Sequence, residues 1–133
     1  MINKDIIKLA SNTSNVGLKN KYSHKVSLKN STCGDKITLE LIADKKKISS
    51  MKYETISCVY CEASASLLSR KIKNVKLKDI KNDLINLKKI SLKRNVKIPK
   101  RLSDFKKLLN SDNFNRFKCI FLPIDAVLKA LKL

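Results

Sequence analysis

The sequence predicts an α+β fold, in which a small three-stranded antiparallel sheet has helices packed on one of its faces. Alternation of apolar and polar residues is concentrated between residues 24 and 56. Apolar residues at helical spacing dominate the chain after residue 58. Strands followed by helices indicate a segregated arrangement rather than alternating strands and helices. The chain has 133 residues, of which 43% are hydrophobic, so we expect a single domain over residues 1–133.

The three strands are predicted over residues 24–29, 36–43 and 48–56, with a polar lysine turn between the second and the third. The middle strand alternates most clearly. Its inward residues are Ile37, Leu39 and Leu41, and its outward residues are Lys36, Thr38 and Glu40. Because the connections are short, the three strands should form an antiparallel meander.

Helices are predicted over residues 3–10, 58–72 and 77–90, and two more should follow a loop that contains Pro99. The first helix should bury one side formed by Ile6, Ile7 and Ala10. The fourth should begin at Leu102. The last should carry Pro123 in its first turn, where a proline is tolerated.

The net charge of +19 comes from 30 Lys and Arg against 11 Asp and Glu. The basic residues are nearly all lysines spread over the whole chain, arginines are few, and aromatic residues make up 5%. No zinc-finger or RNA-binding pattern accompanies the charge. We therefore expect nonspecific attraction to polyanions at low salt but no specific nucleic-acid partner.

Location and cysteine use follow from the same sequence. No apolar run reaches the length of a membrane span, and the first ten residues lack the apolar centre of a signal peptide. We expect a cytoplasmic protein without a membrane partner. In that reducing compartment, four cysteines indicate metal ligands or catalytic groups rather than two disulfides.

All four cysteines lie in three short motifs, at residues 30–35, 58–66 and 116–119. In the first motif Cys33 and Asp35 share the parity of the inward strand residues, and Gly34 between them lets the backbone bend. Cys58 and Cys119 each stand near the start of a predicted helix, where the positive helix end favours a thiolate. Three soft thiolates and a carboxylate suit zinc, iron or an iron–sulfur cluster.

Cys61 has several possible roles. It lies one helical turn after Cys58, so it could join the ligands, form a disulfide or fill the core. A thioredoxin-like role requires a βαβ unit, which this pattern does not show. We expect Cys61 to be a packed or auxiliary thiol, and an additional metal ligand remains one of its alternatives.

Taken together and in order, the motifs N-x-x-C-G-D, C-x-x-x-x-A-S-A-S and R-x-K-C resemble those of the U-type iron–sulfur cluster assembly scaffolds, the IscU, SufU and NifU N-terminal group. Lys118 stands where IscU proteins place a histidine. Together with Arg116 and the long step from Cys58 to Cys119, it makes the chain look nearer the SufU-like branch. Ser57 departs from the glycine that usually precedes the second cysteine.

The resemblance implies an IscU/SufU-like fold and a scaffold or sulfur carrier, sulfurtransferase-like at most. It implies that Cys33, Asp35, Cys58 and Cys119 bind zinc, iron or a nascent [2Fe–2S] cluster. It also implies a SufS- or IscS-like cysteine desulfurase as sulfur donor, and apo-proteins or carriers as recipients. Within that scheme, local positive charge from Arg116 and Lys118 points to Cys119 as the persulfide acceptor, with the two basic residues auxiliary.

A second function remains open from the sequence. The same thiols could bind zinc only to stabilise a basic binding module that has no role in sulfur transfer.

Overall fold

A three-stranded antiparallel sheet forms the base on which the helices pack. The structure is a computed structural model and describes residues 3–31, 34–91 and 97–132. Strands β1 (His24–Lys29), β2 (Lys36–Ala43) and β3 (Ile48–Ile56) lie in the order β1-β2-β3. Both pairings are antiparallel. The predicted meander is therefore confirmed, with the strand bounds that the alternation indicated.

The described residues contain four α-helices, which accompany the sheet: α1 (Lys4–Ser11), α2 (Val59–Lys71), α3 (Leu77–Lys88) and α4 (Phe117–Ala130). Between the last two helices the described residues also contain 3₁₀ segments over Lys89–Ser91, Lys100–Lys107 and Ser111–Arg116. The helix expected from Leu102 is thus a 3₁₀ segment that begins two residues earlier. Within the described parts of the chain, no helix is long and apolar enough to cross a membrane.

Helix α2 lies at the centre of the helical layer. It packs against α1, α4 and β3, and Tyr60 to Ser69 are buried at every position except Glu62. Because many side chains of α2 are small, other elements can pack closely against several of its sides. Ser64 Oγ donates to the Ile120 carbonyl of α4 at 2.6 Å, and Ser66 Oγ donates to the Asn12 carbonyl after α1 at 2.9 Å. Two serines of one helix therefore connect it to both flanking helices.

The inner face of the sheet forms one side of the core, as predicted. Ile37, Leu39 and Leu41 of β2 are completely buried beneath the helices. They lie among Met51 and Tyr53 of β3 and the apolar side of α4, which packs on both β1 and β2.

The outer face carries a buried charge that the alternation predicted to be exposed. Glu40 is only 1% exposed because the segment between α1 and β1 crosses over it. Its Oε1 accepts hydrogen bonds from the backbone N–H groups of Lys19 (2.8 Å) and Asn20 (3.1 Å). Its Oε2 lies 3.8 Å from Nζ of Lys25. Glu40 therefore anchors this segment to the sheet.

Two residues occupy positions that the sequence patterns did not predict. Ile7 is 54% exposed, because α1 buries the side that contains Ile6 and partly buries Leu9. Pro123 is the seventh residue of α4 rather than part of its first turn, because the preceding 3₁₀ segment leads directly into a helix that starts at Phe117. Proline has no N–H, so the helical rung from residue 123 to residue 119 cannot form.

Replacing Glu40 by Ala should lower the free energy of unfolding by about 1–3 kcal/mol, because two backbone N–H groups lose their buried acceptor. Glu40→Gln keeps a carbonyl oxygen and should cost less. Urea denaturation of both variants measures the effect. Glu54→Ala is the matched control, since Glu54 is exposed on the neighbouring strand and accepts only a long, solvent-exposed 3.5 Å hydrogen bond from the Leu18 N–H, whose loss should cost under about 0.5 kcal/mol. Equal losses for Glu40→Ala and Glu54→Ala would show that Glu40 anchors nothing.

Candidate metal centre

The first candidate ligand, Asp35, is positioned by the turn between β1 and β2. The Asn30 N–H donates to the Asp35 carbonyl at 2.7 Å, and the Gly34 N–H donates to the Asn30 carbonyl at 2.8 Å. Gly34 has φ of +74°, a conformation that glycine adopts without strain. A Cβ atom added at position 34 would meet nothing within 4 Å. Glycine is therefore favoured at this position by the backbone angle and not by a lack of space. The turn delivers Asp35, 5% exposed, to the start of β2.

The second candidate, Cys58, is the N-cap residue of α2 and is half-buried. Its backbone N–H donates to Asp35 Oδ1 at 3.1 Å, and its thiol donates to Asp35 Oδ2 at 3.4 Å. Asp35 thus holds the start of α2 against the strand end. The same carboxylate therefore fixes the start of α2 and lies beside the Cys58 thiol.

The third candidate, Cys119, is the third residue of α4 and is 3% exposed. Its burial follows from the neighbours of α4, which packs against α2 and the sheet. From the sequence alone, the polar stretch over residues 110–115 predicts an accessible loop before Cys119. The structure instead places a 3₁₀ segment, Ser111–Arg116, directly before α4.

These three side chains converge. One ligand atom each from Asp35, Cys58 and Cys119 lie within 4.8 Å of one another, a grouping found among the described residues. They come from a strand start and two helix starts, as the sequence motifs indicated. Cys33, the remaining predicted ligand, lies outside the described residues.

Basic groups lie beside Cys119. Arg116 is the N-cap residue of α4, and its guanidinium lies 5.6 Å from the ring centroid of Tyr60, a cation–π distance. Tyr60 follows Cys58 by two residues, so this contact connects the starts of α2 and α4. Lys118 is exposed. Arg116 is therefore positioned by an aromatic ring, whereas the exposed Lys118 adds charge at the surface.

Cys61 lies close to the three-residue group without belonging to it. It is completely buried, and burial raises its pKa from 9.0 to about 12. A hydrogen bond with the Ser57 side chain opposes this rise, while the charges of Asp35 and Cys58 add to it. Cys61 is therefore a protonated thiol in the core, one helical turn after Cys58.

The sequence patterns missed two residues that organise this region. Ser64 binds the carbonyl of the residue after Cys119, and Tyr60 packs beneath Arg116. The alternating Ala and Ser residues signalled close helix packing but did not say which serine contacts which helix. Nothing in the sequence pairs Tyr60 with Arg116, because that contact depends on how α2 and α4 meet.

Comparison with known proteins identifies the family. Residues 1–113 match the model of the NifU-like N-terminal domain. The chain belongs to this family. The matched residues include Asp35 and Cys58 and end before Cys119, which is therefore supported by geometry and by its motif.

Individual relatives agree with this result. The chain is 31% identical over 105 residues to the iron-sulfur cluster assembly scaffold protein IscU of Thermotoga maritima, covering 78% of this chain and 73% of the relative. The N-terminal NifU-like protein of Brucella abortus superposes with a TM-score of 0.87 at 22% identity, covering 98% of this chain and 91% of that one. A putative SUF-system scaffold from Fervidobacterium islandicum gives 0.86 at 20% identity, covering 98% and 96%.

The predicted membership of the U-type iron–sulfur cluster assembly scaffold family is confirmed. The predicted α+β fold is confirmed by the sheet, its helices and both superpositions. One of these relatives is named IscU, one is NifU-like and one belongs to a SUF system. The nearer SufU-like placement, which rests on Arg116, Lys118 and the long step from Cys58 to Cys119, therefore stays a prediction.

The burial of Cys61 predicts slow alkylation. At pH 8 a thiol of pKa about 12 is ionised in about one molecule in ten thousand, so Cys61 in the native protein should react with iodoacetamide at least about tenfold more slowly than half-buried Cys58. Mass spectrometry of timed samples measures both rates. In denaturant the two rates should become similar. Equal rates in the native protein would contradict the buried position of Cys61.

Proposed function

We propose that this protein is an iron–sulfur cluster assembly scaffold and sulfur acceptor. It binds zinc or a nascent [2Fe–2S] cluster and receives sulfur from a cysteine desulfurase of the SufS or IscS kind. The observation that carries the proposal is the convergence of Asp35, Cys58 and Cys119 within 4.8 Å. Family membership supports the same role.

The donor set suits this cargo. Thiolates are the ligands that zinc and iron–sulfur clusters prefer, and a carboxylate oxygen completes many zinc sites. Cys33, two residues before Asp35 in the sequence, is proposed as the third thiolate. Four ligands then match the number that a tetrahedral zinc ion or a [2Fe–2S] cluster requires. Cys61 stays an auxiliary thiol, because it lies outside the converging group.

Positive charge offsets the charge of such a ligand set. Three thiolates and a carboxylate carry four negative charges, more than one zinc ion neutralises. The starts of α2 and α4 are the positive ends of their helix dipoles, and both lie at the ligands. Arg116 and Lys118 add two cations beside Cys119. These groups favour the anionic ligands and would attract the anionic sulfur of an incoming persulfide.

Cys119 is the proposed persulfide acceptor. Its thiolate would attack the terminal sulfur of the desulfurase persulfide. The S–S bond breaks, the desulfurase cysteine leaves as a thiolate, and Cys119 carries the new persulfide. Because Cys119 is 3% exposed, this step requires the first turn of α4 to move outward with Ser111–Arg116. Arg116 and Lys118 are auxiliary residues that steer the reaction.

Partners and location follow from this scheme. The assembled cluster would pass to apo-proteins or carriers, and reduced thiols fit a cytoplasmic location. The chain would act as a scaffold rather than as an enzyme. The scheme calls for neither a specific nucleic acid nor a membrane. Helix α4 lies entirely beyond the family match and yet supplies Cys119, so we propose that the whole chain works as one domain.

A second candidate, a zinc-stabilised basic binding module, is favoured only by the net charge of +19. Such a module would use the same ligands to fold and would accept no sulfur. The two functions therefore differ in whether the protein accepts sulfur, and not in whether it binds a metal.

Incubation with a cysteine desulfurase and L-cysteine tests the proposal. The protein should gain sulfur on Cys119 and increase desulfurase turnover, because it removes the enzyme's persulfide. Cys119→Ser should lose most of the added sulfur. Mass spectrometry of the peptide over residues 119–129, together with alanine formation, measures both effects.

Cys61→Ser is the matched control, since it removes a thiol outside the converging group and should leave sulfur uptake intact. Absence of sulfur uptake and of stimulation would favour the zinc-stabilised module. Persulfide found mainly on Cys33 or Cys61, and unchanged in Cys119→Ser, would overturn the assignment of Cys119.

A further inference from the structure

We propose that Cys58 and Cys61 form a reversible disulfide that protects Cys58 from irreversible oxidation. Cys58 is half-buried at the edge of the candidate metal centre, and among the described residues Cys61 is a buried free thiol that lies outside the converging group. The two residues begin α2 as its N-cap and its third helical residue.

The backbone at the start of α2 suits such a pair. Side chains three positions apart on a helix have Cβ atoms about 5–6 Å apart, and a disulfide requires about 3.5–4.5 Å. Cys58 has extended backbone angles, with φ of −73° and ψ of 167°, and its side chain makes no capping hydrogen bond to the helix. A rotation of the Cys58 side chain, which breaks the 3.4 Å hydrogen bond from its thiol to Asp35 Oδ2, can therefore narrow the gap without unwinding α2.

Helix geometry places the Cys61 side chain on the Cys58 side of α2. Cys61 is the third residue of the helix, and Cys58 is its N-cap residue three positions earlier. Side chains of a helix lean toward its N-terminus, and positions three apart lie on the same face.

Cys119 is the competing partner for Cys58, since their sulfurs lie within 4.8 Å. That disulfide, however, would connect two different helices. A sulfur–sulfur bond is about 2.05 Å long, so α2 and α4 would have to shift relative to each other. Their packing and the 2.6 Å Ser64–Ile120 hydrogen bond resist such a shift. The pair within α2 requires only a local change.

The reaction needs a two-electron oxidant, and hydrogen peroxide is a suitable one. The Cys58 thiolate attacks peroxide, which yields Cys58 sulfenic acid and hydroxide. The Cys61 sulfur then attacks the sulfenic sulfur, and the sulfenic oxygen leaves as water with the Cys61 proton. The two thiols have lost two electrons and peroxide has gained them. A dithiol reductant reverses the change. While the disulfide exists, Cys58 is lost as a ligand but is spared oxidation to the sulfinic acid.

Peptide mapping tests the pair directly. Trypsin should release Cys58 and Cys61 together on the peptide over residues 53–70, and Cys33 and Cys119 on separate peptides over 30–36 and 119–129. Metal-free, reduced protein is treated with one equivalent of hydrogen peroxide, unfolded in denaturant with N-ethylmaleimide so that every free thiol is labelled, and digested. The 53–70 peptide should lack two hydrogens and carry no label, while the other two remain labelled. Dithiothreitol should restore the labelling of 53–70.

Cys61→Ala is the decisive variant, because alanine is small and apolar at a completely buried position. Excess peroxide, applied equally to the unsubstituted protein, should convert most of this variant's Cys58 to sulfinic acid through two successive oxidations that consume two peroxide molecules, and dithiothreitol does not reverse this product. Cys61→Ser should behave in the same way, and a thermal melt by circular dichroism identifies the variant that keeps the native fold. Peptide 53–70 crosslinked to 119–129 in the native protein would overturn the proposal. Equal amounts of Cys58 sulfinic acid with and without Cys61 would also overturn it.

The pairing itself does not depend on the proposed function, because no metal or desulfurase enters the experiment. If the disulfide fails to form, the scaffold proposal still stands. If sulfur transfer fails, the disulfide proposal still stands.

Discussion

The close approach of α2 and α4 is the constraint on which the candidate metal centre depends. Cys58 and Cys119 belong to the starts of these two helices, so their separation is set by how the helices pack. Small side chains along α2 permit the contact, and the buried Ser64–Ile120 hydrogen bond fixes it one residue from Cys119. A larger residue at position 64 would separate two thiols that have no sequence proximity.

Asp35 connects this helical pair to the sheet. Its carboxylate binds both the backbone N–H and the thiol of Cys58, so the start of α2 and the start of β2 are held together by one side chain. The centre therefore combines elements that are far apart along the chain. A metal ion bound there would crosslink the sheet and both helices, which would couple metal binding to stability.

Local patterns predicted the sheet well, because a strand buried on one face alternates strictly. These patterns failed where the burial of a residue or the start of a helix depends on other parts of the chain. Glu40 has an outward position in the pattern, yet a crossing segment buries it. Pro123 was assigned to a first turn because the sequence does not show where α4 begins. In the site, the motifs identified Asp35, Cys58 and Cys119, but the burial of Cys119 depends on tertiary packing.

The central claim, a centre of three thiolates and one carboxylate, is tested most directly by X-ray absorption spectroscopy of the zinc-loaded protein. The predicted first shell has three sulfurs at about 2.3 Å and one oxygen at about 2.0–2.2 Å, unchanged in Cys61→Ala. A shell of four sulfurs that falls to three in Cys61→Ala would contradict the account, because Cys61 would then replace Asp35 as a ligand.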